Sequence, residues 1–245
     1  VGLTMNKPTL TIVTVVYNGE MYIEDTIKSV LSQNCNDDIE YIIIDGASTD
    51  NTLNIVNSYK NEISYIISEN DNGIYDAMNK GVLKASGNYI GFINADDFYN
   101  KDVLCQVIKV MKENKYDVIY GNMSLVEADS LDVIQVRRPK DWKLHIDMNL
   151  SHPATFIKKD IHRENLFNTS YKIASDYDLL LKLKKQGYIF HYIDKNISSM
   201  RNAGLSAKNV KLALEEARQI RKKRNGKLYA ALADIYLFMR KVIKR

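Results

Sequence analysis

The run from Asp71 to Asp97, DNGIYDAMNKGVLKASGNYIGFINADD, constrains the chain more than any other stretch. It joins a Gly-marked turn, a helix over Asp76–Leu83 with Met78 and Val82 facing the core, and a buried apolar strand, Tyr89–Asn94. The strand stops at Asn94-Ala95-Asp96-Asp97, so two carboxylates stand where a core strand surfaces. In an open α/β sheet, ligands bind at the carboxyl ends of strands, and paired acids there suit a hard divalent cation that neutralises phosphate. Read alone, the same pair is also an ordinary turn that caps the next helix.

The preceding chain repeats the pattern. Leu10–Tyr17 is uncharged and β-branched, as a buried parallel strand requires, and ends at Asn18-Gly19. A helix over Tyr22–Gln33 places Ile23, Ile27, Val30 and Leu31 on one face. The second strand, Tyr41–Ile44, runs into Asp45-Gly46-Ala47-Ser48-Thr49-Asp50, and a third is expected over Ile63–Ile67. The first turn carries Tyr17-Asn18-Gly19-Glu20 rather than G-x-G-x-x-G, and no G-x-x-x-x-G-K-[ST] occurs anywhere. Both the dinucleotide-dehydrogenase and P-loop classes are therefore set aside.

These features resemble the inverting family 2 glycosyltransferases of the GT-A fold, particularly bacterial enzymes that build surface polysaccharides. The resemblance implies an α/β GT-A fold with a mainly parallel, Rossmann-like sheet flanked by helices. It also implies a transferase moving a hexosyl or N-acetylhexosaminyl unit from a nucleotide sugar to a hydroxyl of a glycan or lipid-linked acceptor, with Mn²⁺ or Mg²⁺ as cofactor. Tyr17 would lie against the nucleobase and Asp45 would accept a base hydrogen bond, a combination suited to uracil and hence to a UDP-sugar. From the residues alone, Asp45 is equally a turn residue. Asp96 would be the main metal ligand and Asp97 the second, with Asn94 where the first Asp of D-x-D is usual. Met78 stands where relatives carry a diphosphate-binding Arg, leaving Lys80 or Arg201 to supply the charge.

Later segments carry further candidates. Helix Lys101–Asn114 and strand Asp117–Tyr120 precede a hairpin or meandering edge over Leu125–Val136. In His152-Pro153-Ala154-Thr155-Phe156, the resemblance turns His152 toward the cleft for metal, diphosphate or acceptor contact, although a lone histidine is also an ordinary structural residue. Asp176 opens a helix that ends near Gly187, and the resemblance makes it the general base, with Ser175 in place of the usual Glu. Its position suits a helix cap as well, the role expected of Asp178. Tyr188–Ile193 is the last strand expected, and Met200–Ser206 resembles a segment that closes over the donor.

The 245 residues are expected to divide into a GT-A domain over 5–207, with a nucleotide-sugar half at about 8–122 and an acceptor half at about 123–207. A basic helical extension follows over 208–245. The net charge is only +4, but Lys and Arg gather in this extension, and its second helix, Leu228–Ile243, is rich in Leu, Tyr, Phe and Met. Two uses fit: packing on the domain or on a second protomer as a homodimer, or contact with a membrane surface. Cys35 and Cys105 lack metal-ligand spacing; neither a disulfide nor a zinc site is expected, and the chain reads as cytoplasmic, peripheral at most. No apolar run reaches the roughly 18 residues of a membrane span, and with the four residues before Met5 set aside no signal peptide is expected. A metal-dependent nucleotidyltransferase is the alternative enzyme. A basic nucleic-acid-binding protein is the alternative of another class, but it leaves the buried acidic strand ends unexplained.

Overall fold

Four strands free of interior breaks, β1 (Leu10–Val16), β2 (Ile39–Asp45), β3 (Tyr65–Ser68) and β4 (Tyr89–Asn94), pair in parallel in the order β3-β2-β1-β4. The computed structural model describes residues 7–202 and 209–243. Register aligns Val16 with Asp45, Val15 with Asn94 and Asp45 with Ser68, so the polar strand ends meet along one edge. Alternation along β1 sends Leu10, Ile12 and Val16 to one apolar layer and Val13 and Val15 to the other. Helices α1 (Ile23–Leu31), α2 (Thr52–Ser58) and α4 (Val103–Lys112) cover the first face; α3 (Ile74–Lys84), α5 (Lys159–Glu164) and α6 (Ser175–Lys185) cover the second.

Beyond β4 the sheet changes direction. Strand β8 (Thr155–Lys158) runs antiparallel to both β4 and β6 (Val118–Val126). Strand β7 (Val133–Arg137) closes the expected hairpin on β6. The long β9 (Phe190–Arg201) pairs in parallel with β6 and antiparallel with β5 (Asp97–Tyr99). Parallel pairing joins β3-β2-β1-β4 and β6-β9, as expected of the fold, and short antiparallel ladders through β5, β7 and β8 complete the mixed sheet. The boundary expected near residue 122 falls inside β6. The last strand runs eight residues past the expected Ile193, because Asn196–Arg201 finds partners on β6 and β5 that are remote in sequence. Met200 and Arg201 thus belong to a strand, while 203–206 of the expected closing segment lie outside the described residues.

Two C-terminal helices, α7 (Val210–Asn225) and α8 (Lys227–Ile243), follow. Helix α8 turns Ala230 and Ala233 inward, and its Asp234 pairs with Arg218 and Arg221 of α7 at 2.7 Å each.

The expectation for the two cysteines is overturned. Cys35 and Cys105 form a disulfide, with Cα atoms 5.5 Å apart across a sequence separation of 70. Spacing gave no sign of it, because the approach is tertiary: Gln33, just before Cys35, donates to the carbonyl of Asn100 and accepts from the amide of Leu104. These bonds draw the end of α1 onto the start of α4.

Candidate active site

Strand topology assembles the site. Because β8 runs antiparallel to β4, the His152–Ala154 turn that leads into it sits at the C-terminal end of β4. His152 Nε2 lies 3.2 Å from Asn94 Oδ1, and its Nδ1 lies 3.5 Å from Asp176 Oδ2. One imidazole therefore joins the acidic strand end to the first turn of α6. The Tyr75 hydroxyl donates to the carbonyl of Ile173 at 2.6 Å and lies 3.3 Å from Asp176 Oδ1. Burial, then the nearby Asp176 charge, pushes its phenol well above the usual range, so it stays a donor. Asp176 is only 3% exposed, yet its carboxylate is bracketed by Tyr75, His152 and the amide of Tyr177.

The acid pair divides into two environments. Asp96 is partly exposed, whereas Asp97 is fully buried as the first residue of β5. Asp97 accepts from the Asn94 side chain and the Arg201 amide, both at 3.3 Å. Burial, followed by the charge of Asp96, raises its carboxyl well above the ordinary range. Arg201, also 3% exposed, does not present a free cation. Its guanidinium donates to the Asp96 carbonyl at 2.7 Å, to Asp25 at 2.8 Å and to the Ala128 carbonyl at 3.3 Å, with its carbon 4.4 Å from the centre of the Tyr22 ring. The structure thus makes Arg201 a brace behind the acidic loop, which it reaches because β9 pairs with β5. Lys80 is likewise engaged, at 2.8 Å to both Glu69 and the Asn70 carbonyl.

At the other end of the edge, Tyr17 is 64% exposed. Asp45 is fully buried and accepts from the hydroxyls of Ser48 (2.5 Å) and Ser68 (2.6 Å) and from the Ser48 amide. It closes the β2 turn, the role its residues alone allowed. Gly46 packs closely there: a Cβ would lie 2.5 Å from Asp71 Oδ2, so that side chain would have to turn, and 3.5 Å from Tyr17 Cβ. Asp71 therefore joins the Tyr17 edge, a neighbour that strand patterning did not show. Gly73, at φ 112°, takes a conformation open to glycine and starts α3.

The donor chemistry fits a divalent cation in part. Among the described residues no three His, Cys, Asp or Glu side chains gather to hold one unaided. Yet two adjacent carboxyl groups supply oxygen donors at the strand end, the buried Asp97 being held back from ionising by its burial and by the charge of Asp96. Mg²⁺ and Mn²⁺ sites commonly take one or two carboxylates and complete their shell from substrate phosphate and water. Asp96 is the accessible carboxylate of the pair, with Asp97 behind it and His152 turned to Asn94 and Asp176.

Residues 11–174 match the model of Glycosyl transferase family 2. The chain belongs to that family. It is a glycosyltransferase, with the GT-A fold. A Rickettsia prowazekii protein described as an uncharacterized glycosyltransferase is 27% identical over 96% of this chain and 81% of its own length. The putative teichuronic acid biosynthesis glycosyltransferase TuaG of Bacillus subtilis is 35% identical over 61% of this chain and 58% of its own. Among solved structures, S. aureus TarS 1-349 in complex with UDP-GlcNAc superposes with a TM-score of 0.69 at 20% identity, over 86% of this chain and 64% of that one. The glycosyltransferase thus spans less than two thirds of the TuaG and TarS chains.

A second histidine borders the same cleft. His162 of α5, missed in the sequence, lines a small cavity with His152 and Asp176, its ring 4.9 Å from that of Phe167. Neither of its ring nitrogens has a hydrogen-bond partner among the described residues. Burial lowers its pKa to about 4. The native state therefore keeps it neutral while the unfolded chain takes up a proton near pH 6.5, so stability is lost as pH falls from about 6.5 towards 4. Replacing it by Phe is expected to remove about 3 kcal/mol of that acid sensitivity. Urea melts of both proteins at pH 7 and pH 4 check this; parallel losses would count against it.

Proposed function

We propose that this glycosyltransferase moves a hexosyl or N-acetylhexosaminyl unit from a UDP-sugar to a hydroxyl of a glycan or lipid-linked saccharide, with inversion at the anomeric carbon. The observation that carries the reading is the juxtaposition, through His152, of Asp176 with the acidic end of β4. A carboxylate and an acidic phosphate-facing edge on either side of one cleft are what a single in-line displacement needs. Asp176 accepts the proton of the acceptor hydroxyl as its oxygen bonds to the anomeric carbon and the bond to the diphosphate breaks. His152 and Tyr75 hold the carboxylate in place. Asp96 would hold Mn²⁺ or Mg²⁺, and that ion, when bound, supplies charge stabilisation for the departing diphosphate.

The exposed Tyr17 ring offers a stacking face for uracil. Asp45 is fully buried beneath the β2 turn, so the turn must open for it to accept from the base. The TarS complex with UDP-GlcNAc and the teichuronic acid role of TuaG support a UDP-sugar and a surface-polysaccharide product. Thermal shift with UDP-, GDP- and dTDP-sugars, with and without Mn²⁺, tests this: UDP and Mn²⁺ together are expected to raise Tm most. Equal stabilisation by every nucleotide would overturn base recognition.

Work at the inner face of the cell membrane suits a lipid-linked acceptor. Among the described residues no helix is long and apolar enough to cross a membrane. Helix α8, however, exposes Leu228, Leu232, Ile235 and Met239 at helical spacing, with Lys222, Lys223, Lys227 and Arg240 exposed nearby. Apolar bulk flanked by cations favours an anionic lipid surface. The pair L232S/I235S is expected to lose flotation with phosphatidylglycerol vesicles while remaining folded. A wild-type dimer in light scattering that the pair dissociates would assign the stripe to a second protomer instead.

A further inference from the structure

The family match ends at residue 174 and leaves the C-terminal helices without a role. Helix α7 nevertheless reaches the catalytic turn. Glu216, 6% exposed, accepts hydrogen bonds from three consecutive amides, those of Lys172 (2.7 Å), Ile173 (2.9 Å) and Ala174 (2.9 Å). These are the residues that lead directly into α6. Two turns further along α7, Arg224 grips Asp178 with two bonds of 2.7 Å each.

Asp176 lies between the two grips. Its turn is held on the upstream side by a carboxylate and on the downstream side by a guanidinium, both from α7. Ile173, whose amide Glu216 holds, also gives its carbonyl to Tyr75, and Tyr75 reaches Asp176. The upstream grip thus fixes the base and its hydroxyl neighbour together. Bonds to ionised groups are short and strong, and the amides before a helix have no partner within it.

We infer that Glu216 and Arg224 are positioning residues for the general base, which makes α7 part of the catalytic apparatus rather than an appendage. The inference rests on Asp176 being the base. A displacement of about 1 Å at a reacting group costs up to roughly 10²-fold in rate, so a loosened turn shows in kcat before it shows in donor binding.

Glu216→Gln is close in size but exchanges one acceptor oxygen for an NH₂ facing amide donors. It is expected to lower kcat by about 10- to 100-fold, with donor KM and UDP affinity within about twofold of wild type. Arg224→Gln, at a partly exposed site, should act in the same direction, and Arg224→Lys should recover part of the loss. Wild-type kcat in a folded Glu216→Gln protein overturns the inference, as does a fall in kcat matched by an equal fall in UDP affinity. Should Glu216→Gln fail to fold, the two Arg224 variants are read by the same two outcomes. Asp176→Asn, assayed alongside, separates the levels. An active Asp176→Asn removes the base reading itself, while an inactive Asp176→Asn beside a fully active Glu216→Gln removes only the role of α7.

Discussion

Asp176→Asn is expected to lower turnover by about 10²–10⁴-fold, the range for loss of a general base, while UDP-sugar affinity stays near that of the wild type. The geometry makes this a clean substitution. Asn keeps the size of the side chain and an oxygen for the Tyr177 amide, so the first turn of α6 survives. What is lost is the anion proposed to take the acceptor proton, together with a helix-dipole contribution of about 0.3–1 kcal/mol. The measurement is kcat with a saturating donor, UDP titration calorimetry and a thermal melt on the same preparation. Turnover within a few-fold of wild type would move the base elsewhere. Asp178 is then a poor second choice, since Arg224 holds both of its oxygens.

The second large effect is expected at the strand end. Asp96→Asn should reduce transfer by about 10²–10³-fold, the scale of removing one group that stabilises charge in the transition state, and should abolish the Mn²⁺-dependent increment in UDP binding. Arg201 braces this loop through the Asp96 backbone carbonyl, so the substitution leaves the brace intact. Calorimetry of UDP with and without Mn²⁺ reads the effect directly. If the increment persists, Asp96 is a turn residue and the cation is held elsewhere.

Much of this site was legible before any contact was known. The uncharged runs at Leu10–Tyr17 and Tyr89–Asn94 can be satisfied only by burial on both faces, and where each stops, a polar group must surface. That fixed Tyr17, Asp45 and Asp96 on one edge. Asp176 was singled out by the family resemblance, since an acid at the start of an apolar helix reads by itself equally well as a cap. Turn chemistry was visible too, but its consequence for Asp45 was not: whether a carboxylate is free depends on Ser68, 23 residues away, and on burial.

Arg201 shows the limit most plainly. Read along the chain it is an unpaired cation near a Gly-Ser segment, available for a diphosphate. In the fold, the pairing of β9 with β5 carries it behind Asp97, where Asp25, Ala128 and Asp96 consume its donors. The Cys35–Cys105 bond, the His152–Asp176 approach and the reach of Glu216 to residues 172–174 have the same origin. Periodicity and strand-end chemistry are local, and the sequence by itself determined most of the elements and which acid groups stand at their ends. Which of those groups remain free to act was decided only by tertiary structure, because the hydrogen bonds that occupy or spare a side chain come from residues tens of positions away.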